Sequence, residues 1–483
     1  VKLVKVDCHT PGRLRIRALQ PNKTDLISTT DLQLYCDGIA ETDKLADNSG
    51  IYDLTAAQVM NFYCTTGSVP ANFEGGFIEI SSDNVHVVYI PIGSLDTFIP
   101  LDTEGTSNSY IADRGAASYS FTATIMGNGA DGIIDEGKFE DASGNILTKA
   151  GGANIHPLSA KLLWQDTDEL VEQVGLSDGK VQVKMGRSRG NALIAVYDKA
   201  NPNAEDAKVL WSWHLWCTPV PQIIECATSI YTGNNYKVMD RNLGATTSEP
   251  NLGTTQGLHY QFGRKDPFSG SLSYDGERTI LYDVRSSTSI LKAEIIDEAI
   301  QIRQALNFPD IYFLRHSDQE DWYEGVGAHY LWGNPEGRAS VHPVKTTKTI
   351  YDPCPAGYKI LPGDVFFVFA RTTKPSEYSN EIICKVENLN SLFYVKKIED
   401  GGTTFYADGA GVDETKLIYL PLAYSPQWAA GKLHSSGYYW TSSPRGDDLW
   451  YQGFTFYNQS GSTYWLNNGL PSWRLASVRC VKE

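Results

Sequence analysis

The segment 208–217 constrains the fold most. Within it Trp211, Trp213 and Leu215 share one face of an extended strand, while Ser212, His214 and Trp216 share the other. A strand with one wet face alternates apolar and polar residues. Here bulky residues stand on both faces, so both must be covered. Residues 191–197 precede this segment across a polar loop and read as its hairpin partner. The surrounding chain must therefore supply packing on two sides, as in a β-sandwich pressed against a neighbour.

Shorter alternations extend the β reading. Leu14, Ile16 and Ala18 interleave with Arg13, Arg15 and Arg17, and Leu32, Leu34 and Cys36 repeat the pattern. Segments 77–80 and 85–90 flank Ser81-Ser82-Asp83-Asn84, a turn-forming run that marks a hairpin. Later, Tyr119, Phe121, Ala123 and Ile125 alternate, as do Val181, Val183 and Met185. Two helices are expected. One lies over 54–63, opened by Asp53. The other lies over 289–306, where Ile290, Leu291, Ile295, Ile296, Ile300 and Ile302 fall near 3.6-residue spacing before Pro309. The run 365–370 after Asp364 reads equally as a short helix or a buried strand. Strands return at 417–422, 438–441, 449–457, 463–466 and 475–481.

A chain of 483 residues exceeds one hydrophobic core, and its length favours about three domains. The polar run 102–108 and the pair Pro219 and Pro221 supply the borders. The expected organisation is a β-sandwich over 1–105, a second over 106–222, and an α+β domain over 223–483, mostly β as a whole. Acidic residues outnumber basic ones 57 to 41. That excess argues against non-specific nucleic-acid binding and against docking on anionic lipid. No apolar run approaches the ~20 residues of a membrane helix. No cleavable signal stands at Val1, and Lys5-Val6-Asp7 ahead of Cys8 is not a lipidation context, so any anchor is expected upstream. Eight cysteines are dispersed with no C-x-x-C pair, so the common zinc patterns are missing. Dispersed spacing makes Cys354 and Cys480 the candidate disulfide of an exported protein, with unpaired thiols as the alternative. Cys384 is expected to be a buried free thiol.

Five motifs follow one another in the second half. They are Asp240-Arg241-Asn242-Leu243-Gly244-Ala245, then Tyr260-Gln261-Phe262-Gly263-Arg264-Lys265-Asp266-Pro267, then Tyr351-Asp352-Pro353-Cys354-Pro355-Ala356-Gly357-Tyr358. Gly437-Tyr438-Tyr439-Trp440-Thr441-Ser442-Ser443 and Ser477-Val478-Arg479-Cys480-Val481 complete the series. This order resembles the major paralogous domain named after Fibrobacter succinogenes, a C-type-lectin-like module of surface proteins. Gly190-Asn191-Ala192 and segment 210–216 resemble what precedes that module in fimbrillin-family proteins of Bacteroidales. The resemblance covers about 108–483, while 1–105 match only as a generic transthyretin-like sandwich. It is specific for the module and less so for a pilus role.

The resemblance implies a cell-adhesion protein, a pilus tip or accessory subunit with no catalytic residue. It would be exported to the cell surface, outer membrane or fimbrium and joined to other pilin subunits by strand addition. Asp240, Arg241, Gly263, Asp266, Cys354, Gly357, Trp440 and Cys480 are the module positions, most of them scaffold. Arg241 and Asp266 are expected to pair in the interior. Two alternatives stay open: a non-polymerising glycan-binding lipoprotein for nutrient capture, and a glycoside hydrolase built from two converging acids.

The candidate ligand-binding set is Asp447, Asp448, Trp450, Tyr464, Trp465 and Asn467, an aromatic and amide group suited to a host or microbial glycan or protein. Core packing is the competing reading for aromatics on consecutive strands. Arg445-Gly446-Asp447 reads as a charged loop before it reads as an integrin signal. Glu249-Pro250-Asn251 lacks the partner Trp-Asn-Asp of a sugar-binding calcium site. The acidic turn of Asp131, Asp135 and Glu136 lacks the ligand order that calcium needs, so no metal and no cofactor is expected, with calcium kept as the one candidate. H-E-x-x-H does not occur, and Gly-x-Ser-x-Gly is spelled once, by Gly186-Arg187-Ser188-Arg189-Gly190, between the strand patterns at 181–185 and 191–197 and so not at a strand-to-helix elbow. His214 is expected to be packed and hydrogen-bonded. Formylglycine-generating enzymes share the lectin-like fold, but Cys354, Cys384 and Cys480 offer no reactive pair beside basic residues.

Overall fold

Alternation along Gly12–Leu19 turns Leu14, Ile16 and Ala18 inward and leaves Arg13 and Arg15 exposed. This strand is the spine of the first of two units into which the chain divides, Val1–Phe98 and Ile99–Glu483. The computed structural model describes the chain apart from residues 1, 9–11, 21, 31, 37–40, 55–57, 65–75, 83–85, 93–97, 114, 136, 231, 251–252, 270–273, 276–277, 283–287, 291, 316–320, 325–327, 334–345, 372–381, 386–392, 400, 423–435, 445–450 and 458–462; along several strands it describes the backbone alone. The protein is β-rich.

The first unit contains β1 (Lys2–Cys8), β2 (Gly12–Leu19), β3 (Leu34–Cys36), β4 (Ser49–Leu54), β5 (Gln58–Cys64), β6 (Gly76–Ser82) and β7 (His86–Ile92). They form two sheets, β1-β5-β3 and β4-β2-β6-β7. Leu14, Ile16 and Ala18 meet Leu34, Met60, Phe62 and Ile78 in the core. The helix expected over 54–63 is instead the end of β4 and most of β5. Met60 and Phe62 are buried on either side of half-buried Asn61, a period of two, and Val59, Phe62 and Tyr63 favour extended backbone. Asn48, at φ 58°, sits in the left-handed region that its short amide tolerates. Its Oδ1 accepts from Leu34 N at 2.9 Å, and its Nδ2 donates to the carbonyls of Ile27 and Leu32.

The second unit opens with β8 (Ile99–Pro100), β9 (Ser109–Ala112), β10 (Ser118–Thr122), β11 (Ser159–Gln165), β12 (Val171–Ser177), β13 (Lys180–Met185), β14 (Gly190–Tyr197) and β15 (Val209–Cys217). One sheet runs β12-β13-β10-β8. A larger one carries β11-β14-β15-β9, with β9 parallel to β15. The β14–β15 hairpin pairs Asn191 with Trp216 and Val196 with Trp211, and every residue of β14 is buried. Phe121 packs edge-on to Trp213 at 5.4 Å, while Trp211 stacks with Tyr351 at 6.1 Å. That second contact crosses the border expected at 222/223. A single core joins Tyr110, Trp213 and Trp216 to Phe262, Tyr351, Trp440 and Val478, so packing does not separate 106–222 from 223–483. The reason is the hairpin's two bulky faces, one of which the later segment covers.

Beyond β15, Ile223–Glu225, Lys237–Met239, Cys480–Lys482 and Tyr358–Ile360 form a four-stranded sheet. A six-stranded sheet runs His259–Tyr260, Ala476–Ser477, Ser436–Pro444, Tyr451–Tyr457, Thr463–Leu470, Ile382–Lys385. The helix expected over 289–306 is mostly strand. Lys292–Ile296 pairs in parallel with Ile311–Arg315, and the helix is only α1 (Ile302–Asn307). The β-branched isoleucines suit the strand. The helix starts where Gln304 Oε1 accepts from Gln301 N at 3.0 Å, and Pro309 follows its end. The run after Asp364 becomes a buried 3-10 segment, Gly363–Val368.

Candidate functional site

The expected ligand-binding set falls largely beyond description. Asp447, Asp448 and Trp450 lie outside the described residues, as does Arg445-Gly446-Asp447. Tyr464, Trp465 and Asn467 belong to the strand Thr463–Leu470, where Trp465 pairs with Thr455 and with Ile383; their side chains lie outside the described residues. So do the side chain of Cys384 and the residues Glu136 and Asn251. Among the described residues, no three His, Cys, Asp or Glu side chains cluster as metal ligands.

Several interior clusters contain chemistry-bearing residue types. The β9–β15 pairing sets Ser109 opposite His214, with Ser109 Oγ 3.0 Å from His214 Nδ1. His214 Nε2 lies 2.9 Å from Asn191 Oδ1, and Asn191 donates from Nδ2 to Asp166 Oδ2 at 2.7 Å. The string imitates a nucleophile, base and orienting acid, yet Ser109 and His214 are 0% and 1% exposed. Burial drives the imidazole pKa down to about 3, so it is neutral. With Asn191 Oδ1 accepting at Nε2, Nδ1 must itself accept, and the single hydroxyl proton of Ser109 chooses between it and the Pro353 carbonyl at 2.6 Å. Burial raises the Asp166 pKa, opposed by its bonds from Asn191. The string ties β9, β14 and β15 to the Pro353 loop, with its hydroxyl and imidazole sealed from solvent.

The expected Arg241–Asp266 pair does not form. Arg241 holds its neighbour Asp240 through Nε and Nη2, each at 2.9 Å. Asp266 instead takes Lys265 Nζ at 2.6 Å and the Ser212 hydroxyl at 2.6 Å. Adjacent carboxylates reach each cation first, with no chain reorganisation needed. Lys265 Nζ also lies 4.5 Å from the Trp211 ring centroid, and burial lowers its pKa to about 8 against the pull of Asp266. A second buried pair, Lys348 and Asp352 at 3.3 Å, organises the cysteine loop. Lys348 Nζ donates to the carbonyls of Cys354 and Tyr358, and Asp352 accepts from the Cys354 and Ile360 amides. Cys354 and Cys480 are disulfide-bonded, with Cα atoms 5.9 Å apart. Trp440 is fully buried and donates its indole N–H to Tyr260 O at 2.8 Å. Gly263, at φ 86°, has no room for a side chain, since a Cβ would lie 2.5 Å from Leu331 Cδ1.

Among the described residues a site-like concavity lies elsewhere. A cleft of about 720 Å³ opens where the middle of β11 and the turn end of the β14–β15 hairpin face α1. Leu163, Tyr197 and Val209 line its strand side, and Arg303, Asn307, Phe308 and Asp310 its helix side. Burial, then the Asp310 charge, pushes the Tyr197 phenol up to about 12. Lys161 Nζ donates to Asn203 Oδ1 at 2.7 Å on the rim. The helix side is anchored from behind. Buried Arg264 donates to Ile311 O at 2.7 Å and Phe308 O at 3.2 Å, and its guanidinium lies over the rings of Phe268 and Phe313. A cation there satisfies the free carbonyls at a helix end. Sequence reasoning missed this cleft. Its nearest signal was Phe308-Pro309-Asp310 directly after the helical pattern.

Compared with known proteins, the chain matches no family model and no curated protein sequence.

Proposed function

We propose that the protein is an exported, non-catalytic adhesion protein of the cell surface, a fimbrial tip or accessory subunit. In this reading two N-terminal transthyretin-like sandwiches carry a C-type-lectin-like module that presents an adhesive face. The observation that carries it is the use made of buried ionisable groups. Lys265, Asp266, Lys348, Asp352, Arg264 and His214 are spent on holding loops and strand ends, which suits a rigid scaffold for binding. The Cys354–Cys480 disulfide supports export, because such bridges persist in oxidising compartments. Strand addition is supported by sheet order in the first unit, where among the described residues β4 and β7 end one sheet and β1 and β3 the other. The adhesive face is assigned to Asp447, Asp448, Trp450, Tyr464, Trp465 and Asn467.

The test is a screen of the full chain on glycan and extracellular-matrix arrays, with and without chelator. Binding by the native protein, lost in the Trp450→Ala/Trp465→Ala double variant at unchanged circular dichroism, is the expected outcome. Equal binding by that variant removes the assigned face.

A further inference from the structure

We propose that the cleft between β15 and α1 is a second carbohydrate site, for a neutral di- or trisaccharide. The assignment goes beyond the late-strand adhesive face and does not require it. Four observations converge. At about 720 Å³ the cleft falls within the size range of small-ligand sites. Phe308 lines it while 51% exposed, whereas Trp211, Trp213, Trp216 and Trp322 are all fully buried. An aromatic face left open beside Pro309 is a stacking platform for sugar C–H groups.

The polar lining completes the chemistry. Lys161, Lys208 and Arg303 stand against Glu205, Asp206 and Asp310, with Asp206 also holding Lys199 at 2.9 Å, so donors and acceptors of both signs are supplied. A polyol needs that mixture; a phosphate, a sialic acid or a polyamine would be selected by one sign and repelled by the other. Finally, the platform is held in place before any ligand arrives. Phe308 N donates to Gln304 O at 3.1 Å, its carbonyl accepts from Arg264 at 3.2 Å, and Ile311 N donates to the same carbonyl at 3.1 Å. A weak stacking contact contributes most when little ordering is required to form it.

The experiment uses the full chain on a printed array of neutral and acidic oligosaccharides, then calorimetric titration with the best neutral binder. The native protein should bind a neutral glycan. Phe308→Ala should weaken that binding at least tenfold, Asp310→Asn at least threefold, and Phe308→Tyr, which keeps the ring, less than threefold. Should Phe308→Ala unfold the chain, Asp310→Asn and Phe308→Tyr decide alone. Recognition of acidic glycans only, an unchanged affinity in Phe308→Ala, or displacement by a phage-selected peptide with no glycan bound each overturns the proposal. Binding lost in the Trp450/Trp465 variant and kept in Phe308→Ala removes the cleft and leaves the late-strand face standing. The opposite pattern removes the face and keeps the cleft.

Discussion

In Val1–Phe98 Arg13 meets Asp53 at 2.7 Å with both side chains mostly in solvent, and Arg17 meets the nearly buried Glu79 at 2.7 Å across the central β2–β6 pair. In Ile99–Glu483 Lys265 with Asp266 and Lys348 with Asp352 are sealed in the interior. Both units are built from alternating strands, but these charges do different things in them. The wet Arg13–Asp53 pair is screened and replaceable, so apart from the Arg17–Glu79 pair the first unit rests on its apolar core and on the buried amide of Asn48. A buried pair leaves an uncompensated charge when one member goes, so the second unit is held at a few polar points. The eleven tryptophans all lie beyond residue 98, which lets indole fluorescence follow the second unit by itself.

The largest expected effect comes from the disulfide, which closes a separation of 126 residues. Loop-closure entropy for that length puts its loss at about 4 to 5 kcal/mol. Cys354→Ser/Cys480→Ser should move the fluorescence-detected urea midpoint down; an unmoved midpoint would break the comparison. Next is Asn48→Ala in the first unit, expected to cost on the order of 3 kcal/mol through lost hydrogen bonds and a strained backbone. It should shift the far-ultraviolet transition while the tryptophan signal stays where it was.

Acid sharpens the contrast further. Burial holds His214 at about 3 and His259 at about 4, both below the ordinary histidine value near 6.5. Between those limits the unfolded chain binds more protons than the folded one. The stabilisation is therefore whole above about pH 6.5 and drains as pH falls through 4 toward 3, with a slope on the order of 1.4 kcal/mol per pH unit for each ring. Fluorescence-detected melts from pH 7 to pH 4 should fall along that course, and His214→Gln should flatten part of it. Arg13→Ala closes the series with no resolvable change in either transition, since its ion pair is fully wet.

Much of the strand content was legible beforehand. The alternations at Leu14, Tyr119 and Val181 and the doubly covered hairpin all became strands, because an extended chain points successive side chains to opposite sides whatever surrounds it. The isoleucines between 290 and 302 were misread because closely spaced isoleucines fit a helical spacing and a strand alike; pairing with Ile311–Arg315 decided between them. The candidate site was far less legible. Phe308 and Tyr197 are 111 positions apart, and nothing local marks one as open and the other as its wall.

By itself the sequence determined a β-rich, acidic chain and the inward faces of its principal strands, because pleat and net charge depend on residue type and order alone. Only the tertiary structure decided that 99–483 pack as one unit, that Asp266 takes Lys265 while Arg241 takes Asp240, and that a cleft opens beside α1. Each of those depends on which distant segments meet. A buried charge takes the partner that needs the least reorganisation once they have met.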